Sequence, residues 1–214
     1  NVKISVGYRL SYPDEKLFTF YLDEFETKLF DLPEGVYTCL IENEDCEEQI
    51  LTPGMDDEIF LRTKVPMTKN EVRVLSISRL ELTKKAVVYD VGSGTGSVSA
   101  ECARLSPDIF VFAIEQKEEA ANLTKENAVR LGLSDQIVVI NKKAPEGFEE
   151  LPTPTHVFIG GSSGALSDIL SAIQKKLIVK ENTKGKTDKA SKGVRVVINA
   201  VSLETIAQIT KLIQ

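Results

Sequence analysis

Val87-Val88-Tyr89-Asp90-Val91-Gly92-Ser93-Gly94-Thr95-Gly96-Ser97-Val98-Ser99-Ala100-Glu101 decides how this chain is read. An apolar, β-rich run ends at Asp90. Glycines follow at 92, 94 and 96, and then a segment able to start a helix. That is a strand, a tight glycine turn and a helix N-terminus. Glycine lets the backbone take positive φ and come close to a ligand. The N–H groups at a helix start favour a polar or negative group. A second acid, Glu115, ends the next apolar run, at the distance where such folds hydrogen-bond a ribose. A nucleoside-containing ligand is the first expectation. The bland alternative is a tight turn with no ligand.

The dinucleotide fingerprint G-x-G-x-x-G/A fails in both registers, because its third position falls on Ser97 or on Ser99. The pattern present is acid-x-Gly-x-Gly-x-Gly. It resembles the first motif of class I S-adenosylmethionine (SAM) methyltransferases.

From residue 86 onward strands and helices alternate. Strands are expected at 86–91, 109–114, 137–141, 157–159 and 194–199. Helices are expected at 98–104, 118–131, 166–177 and 203–213. Alternation of this kind predicts a parallel α/β sheet, with its ligand beyond the C-terminal strand ends. Thr68 with Glu71 three residues on is a capping-box signal for a helix at 69–80. Residues 1–61 break the alternation. They offer a strand at 36–42, a short amphipathic helix at 22–30 and an acidic loop at 42–58, too little for a core of their own. The expected division is therefore 1–61 and 62–214.

Composition narrows the class. Of 214 residues, 42% are apolar and 27% charged, ordinary values for a globular protein. No run has the length of a transmembrane helix, and the first residues do not form a secretory signal. A net charge of −6 disfavours nucleic acid as a partner. Cys39, Cys46 and Cys102 have neither metal spacing nor a paired framework and read as reduced cytosolic thiols. His156 is the single histidine, which disfavours a histidine-based metal site or triad; it reads as structural or exposed.

Four segments carry a more specific resemblance: Pro66-Met67-Thr68-Lys69-Asn70-Glu71-Val72-Arg73, the glycine stretch above, Val157-Phe158-Ile159-Gly160-Gly161-Ser162-Ser163-Gly164, and Asn199-Ala200-Val201-Ser202-Leu203-Glu204. In order and spacing they resemble the decarboxylating precorrin methyltransferases of cobalamin (vitamin B12) biosynthesis. Residues 1–61, with Leu10-Ser11-Tyr12-Pro13-Asp14-Glu15, resemble the tail of the tetrapyrrole methylase domain that precedes this enzyme in the fused precorrin-6Y C(5,15)-methyltransferase. The resemblance implies a class I Rossmann-like sheet preceded by a small α+β fragment. It implies SAM as cofactor and a precorrin as substrate. Carbon 15 would be methylated and the acetate arm on carbon 12 would lose carbon dioxide, with the conjugated macrocycle as electron sink. It also implies a homo-oligomer, a tetramer.

By position the resemblance makes Thr68, Asp90, Gly92, Ser93, Gly94, Thr95, Gly96, Glu115 and Ala144 cofactor residues and sets Gly160, Gly161 and Ser162 against the substrate. It names no catalytic residue. Bland readings stand beside these: Thr68 as a helix cap, Glu115 as a solvated strand end, Gly160-Gly161 as a turn. Two positions depart from the family pattern. Lys142-Lys143 stand where Gly-Asp is usual, removing a carboxylate from the adenine end. Thr155-His156 stand where an aspartate is frequent before the fourth strand. The usual terminal strand pair is also missing after 203–213, so an exposed sheet edge and self-association are expected, with weak activity of this chain alone. Two other functions compete: methyl transfer to another acceptor, and a non-catalytic SAM-binding fragment. The absence of an Asn-Pro-Pro-Tyr type motif after the fourth strand disfavours amino-group acceptors.

Lys175–Lys192 holds seven lysines against Glu181 and Asp188. It reads as a solvated, mobile insertion rather than as a landing site for a polycarboxylate. Deleting 180–192 is therefore expected to leave SAM affinity unchanged in a calorimetric titration. A large loss would show that the segment belongs to the cofactor site, and a loss confined to tetrapyrrole binding would favour the landing site.

Overall fold

The computed structural model describes residues 2–25, 27, 34–45, 52–183 and 193–213. They form two units, Asn1–Ile50 and Leu51–Gln214. In the first, β1 (Val2–Tyr8) lies between β2 (Lys16–Tyr21) and β3 (Tyr37–Asn43), antiparallel to both. Alternate residues Ile4 and Val6 turn inward with Phe20 to make a small core. Neither β1 nor β2 is assigned from sequence, although Val2, Ile4, Val6 and Tyr8 alternate with the period of a strand. The helix expected at 22–30 opens as a 3-10 turn at Leu22–Glu24, and Phe25 and Thr27 are helical; 26 and 28–33 lie outside the described residues.

The second unit grows from the quoted stretch. β4 (Val87–Val91) is the middle of a five-stranded parallel sheet with β5 (Phe110–Ile114), β6 (Ile137–Ile140), β7 (His156–Ile159) and β8 (Arg195–Ile198). The order is β6-β5-β4-β7-β8. The chain moves outward from β4 to β6, then returns to β4's other side with β7. That reversal opens a crevice at the C-terminal ends of β4 and β7.

Because side chains alternate across a sheet, one strand feeds two cores. Val88, Val111, Ala113 and Phe158 face one side, where they meet α1 (Asn70–Leu80), α2 (Ser97–Ala103) and α3 (Glu118–Arg130). Tyr89, Val91, Val157 and Ile159 face the other, against α4 (Leu166–Thr183), with Ile209 of α5 (Leu203–Ile213) packed on the same cluster. Burial on both faces is why these strands read as continuous apolar runs.

Three expectations need correction. The division falls at Ile50/Leu51, not after residue 61: Gly54 and Met55 donate N–H bonds to Glu101, and Leu61 to Asn127, so residues 52–61 join the second unit. Thr68 does not cap α1. The N-cap is Lys69, with no side-chain cap bond. Helix α4 runs on to Thr183, so 180–183 are helical rather than an insertion; residues 184–192 lie outside the described set. Cys39 is exposed and Cys102 buried, both as free thiols. Among the described residues no helix is long and apolar enough to cross a membrane.

Ile173 on α4 is 2% exposed and fills the second core. Ile173→Ala should lower unfolding free energy by about 2–5 kcal/mol through lost burial and a residual cavity, read from denaturant curves. A change under about 0.5 kcal/mol, the scale of a surface substitution, would contradict this packing.

Candidate functional site

A cavity of about 700 Å³ opens at the crevice. Its floor is backbone. Gly92, Gly94 and Gly96 have φ of +74°, +59° and +76°, the left-handed region that costs other L-residues. None of the three has room for a side chain, a Cβ on Gly96 lying 2.7 Å from Thr124 Cγ2. A Cβ on Gly92 would lie 2.7 Å from the carbonyl oxygen of Gly161, and one on Gly94 would lie 2.8 Å from that of Pro66. The glycine loop is thus pressed between the loop after β7 and the segment before α1. All three segments line the cavity.

Glu115 stands at the end of β5, buried but facing the cavity. Its two carboxylate oxygens accept from the N–H of Gly94 at 3.1 Å and of Lys117 at 2.9 Å. A carboxylate has about four lone-pair positions, so half of its acceptor capacity stays open toward the cavity. The backbone carbonyl of Glu115 accepts from Asn141 Nδ2 at 2.8 Å, tying the ends of β5 and β6 together.

The expected site residues separate into two groups. Thr68, Gly92, Ser93, Gly94, Glu115 and Ala144 line the cavity, as do Gly160, Gly161 and Ser162. Asp90, Thr95 and Gly96 are not on that lining; they are buried behind the loop. Asp90 accepts from Ser99 Oγ at 2.5 Å, while its second oxygen and the Thr95 hydroxyl have no protein partner among the described residues. Burial pushes the Asp90 carboxyl up to about 6; the Ser99 bonds oppose this and the nearby Glu115 charge adds to it. Gly96 packs on Thr124, which itself donates to the Gly94 carbonyl at 3.0 Å. These residues shape the loop from below.

Further lining residues come from strand ends. Gln116 follows Glu115 and donates to Ser163 Oγ at 2.7 Å, joining the ends of β5 and β7. Asn199, just after β8, accepts from Ser76 Oγ at 3.2 Å. Gln116 is signalled in the sequence only by following an apolar run; Asn199 ends one and opens the fourth segment of the family resemblance. Four lysines, Lys69, Lys117, Lys142 and Lys143, also face the cavity. His156 lies at the start of β7, the opposite end of the sheet, with Nδ1 at 2.8 Å from Thr155 Oγ1. Its buried position lowers its pKa, and Arg195 adds to the effect. It has no place in this site.

A sequence profile described as the precorrin methyltransferase domain matches residues 59–214. This chain belongs to the precorrin methyltransferase family. A protein of Pyrobaculum calidifontis is 44% identical over 128 residues, 59% of this chain and 66% of its own. One of Saccharolobus solfataricus is 35% identical over 163 residues, 75% of each chain. Both are named "Probable cobalt-precorrin-6B C(15)-methyltransferase (decarboxylating)". The chain thus spans about two thirds to three quarters of these relatives. The crystal structure of precorrin-6y C5,15-methyltransferase from Geobacter metallireducens superposes with a TM-score of 0.64 at 31% identity, covering 75% of this chain and 76% of that one. The fold of the second unit is that of the class I methyltransferases, a parallel central sheet with flanking helices.

Asp90 gives a pH test. Its folded-state pKa lies above its ordinary 3.8, at about 6. Protonation therefore favours the folded form. The contribution is complete below pH 3.8 and is lost as pH rises through about 6. Relative to Asp90→Asn, the wild type should lose stability across that window, read from unfolding curves between about pH 4 and about pH 8. A difference that stays flat with pH would contradict the burial of a free carboxyl here.

Proposed function

We propose that this chain methylates a precorrin macrocycle at carbon 15 and removes the carboxyl of its carbon-12 acetate arm, using SAM, as a step of cobalamin biosynthesis. The observation that carries this reading is the cavity at the reversal of strand order, floored by Gly92–Gly94 and walled by Glu115, in a chain of the precorrin methyltransferase family. The names of the Pyrobaculum and Saccharolobus relatives support the position and the decarboxylation.

Bound SAM supplies an electrophilic methyl group. The residues present fit it. Glu115 keeps lone pairs for ribose hydroxyls while the Gly94 and Lys117 N–H groups hold its orientation. The loop Gly92–Gly94 carries little side-chain bulk and lets the methionine end lie against backbone. Ala144 offers an apolar contact for the adenine ring. The acid usual at the adenine end is absent, and Lys142 and Lys143 stand there. Thr68 walls the other side of the loop.

Gly160, Gly161 and Ser162 leave a low wall beside the glycine loop, which suits a broad planar acceptor. Lys117 and Lys143 on the lining suit the carboxylate arms of a tetrapyrrole, despite the net negative charge of the chain, while Lys69 and Lys142 are paired with Asp57 and Glu150. Methyl transfer needs nucleophile, methyl and sulfur in line, and positioning of this kind supplies much of the rate. Decarboxylation needs an electron sink, which the conjugated macrocycle provides. In the same proposal, residues 1–50 are the end of a tetrapyrrole methylase domain, and the working enzyme is a homo-oligomer.

Glu115→Ala should weaken SAM binding by about 1.5–3 kcal/mol, the worth of hydrogen bonds to a charged group, measured by titration calorimetry. Unchanged affinity would remove Glu115 from the ribose site. Incubation with SAM and the precorrin should give a product whose mass shows a methyl gained and carbon dioxide lost. A methyl gain without that loss would sink the decarboxylating half.

A further inference from the structure

Residues 52–61 form a strap whose one regular element is a 3-10 turn at Asp57–Ile59. Most of the groups that hold it are buried or half-buried on helices of the second unit; exposed Lys69 also pairs with Asp57 at 3.3 Å, and Arg104 Nη1 donates to the Thr52 carbonyl at 3.0 Å. Asn70 Nδ2 donates to the Gly54 and Met55 carbonyls, both at 3.0 Å. Glu101 Oε1 accepts from the Gly54 and Met55 N–H groups at 3.0 and 2.7 Å. Arg73 is fully buried. Its guanidinium meets Glu101 at 3.2 Å, Asp57 of the strap at 3.0 Å and the Met55 carbonyl, and it lies 4.9 Å over the Phe60 ring. At the strap's far end Leu61 N–H donates to Asn127 Oδ1 at 2.7 Å, and Asn127 Nδ2 donates back to the Leu61 carbonyl at 3.0 Å.

Two of these side chains also hold the cavity. Arg73 Nη1 donates to the carbonyl of Thr68 at 2.8 Å. Asn127 Nδ2 donates to the carbonyl of Thr95 at 2.8 Å. Thr68 belongs to the wall and Thr95 to the glycine loop. Those two segments touch where Gly94 meets the Pro66 carbonyl. The contacts close a ring: strap, Arg73, wall, glycine loop, Asn127, strap.

We infer that Arg73 and Asn127 are positioning residues for the cofactor, and that the strap is a working part of the cofactor site. The inference rests on the SAM reading above. The physical reason is satisfaction. A buried guanidinium with unmet donors is costly, and the strap supplies two of its acceptors. Without the strap, Arg73 would have to turn toward water, and the Thr68 peptide would lose its anchor. Asn127 does the same by a neutral route. Its amide spends both donors on carbonyls, one in the strap and one in the glycine loop. Loosening either end therefore lets the loop and wall drift together, because they are in backbone contact.

Asn127→Asp keeps the shape and the acceptor for Leu61 but removes both donated bonds. Asp57→Asn removes a charge from Arg73 at the strap itself. Ile173→Ala serves as a control that lowers stability from a core outside the ring. SAM titration, steady-state kinetics and thermal unfolding are read for each. Both strap variants should raise the SAM Kd and the KM for SAM about tenfold, with kcat and the tetrapyrrole KM little changed. Ile173→Ala should lower the unfolding temperature and leave the SAM Kd where it was. Strap variants that are folded at the assay temperature and bind SAM as the wild type does would overturn the inference. So would an equal loss in Ile173→Ala, which would mark the effect as general instability. A wild type that fails to bind SAM would instead count against the cofactor reading itself.

Discussion

The constraint on which the second unit depends is the approach of backbone to backbone at Gly92. A Cβ added there would lie 2.7 Å from the Gly161 oxygen. β4 and β7 are hydrogen-bonded neighbours, and Gly160 and Gly161 continue that pairing by donating to the Val91 carbonyl at 2.9 and 3.3 Å. The two loops that leave these strands must therefore part within one or two residues of each other. A side chain at Gly92 would push them apart and fill the crevice from below, whereas a Cβ at Gly161 would meet open space. Helix α2, the position of Glu115 relative to Gly94 and the contact with Pro66 all follow from keeping those loops low.

Two acids close to the loop are used in opposite ways. Asp90 is withdrawn from solvent with a single hydroxyl donor, and burial raises its pKa. Glu115 receives an N–H at each oxygen and still faces the cavity. The difference lies in direction along the sheet. Asp90 is inside β4 and projects toward α2. Glu115 is one residue past β5, where the strand no longer covers it. The same residue type thus becomes an internal support in one place and a ligand acceptor in the other.

The sheet was legible because its strands are buried on both faces and end abruptly in acid, glycine or asparagine. All five appear within a residue or two of their expected places, and α5 with the bounds expected. The pocket was legible in its chemistry at Gly92, Gly94 and Glu115, but not in its depth. Asp90, Thr95 and Gly96 share the motif and sit behind the cavity, since a tight loop shows only one side to a ligand. Gln116 and Asn199 join the lining through strand order, which a linear pattern does not encode. The strap was illegible for a related reason. Met55, Asp57 and Leu61 look like part of an acidic connector until Arg73, Glu101 and Asn127 are known to be buried and in need of partners. Thr68–Glu71 had the letters of a capping box, yet the Thr68 carbonyl is engaged by Arg73, and Lys69 takes the cap position without a side-chain bond.

The placement of His156 has a practical side. The chain contains one imidazole, and that ring is built into the start of the central sheet, against Thr155 and away from the crevice. Its ring protons therefore form a single isolated pair of resonances rooted in the scaffold. Ligands that merely fill the crevice should leave that pair still, and anything that disturbs the register of β4, β7 and β8 should move it. The molecule carries its own spectroscopic witness, sited where it distinguishes an occupied pocket from a rearranged sheet.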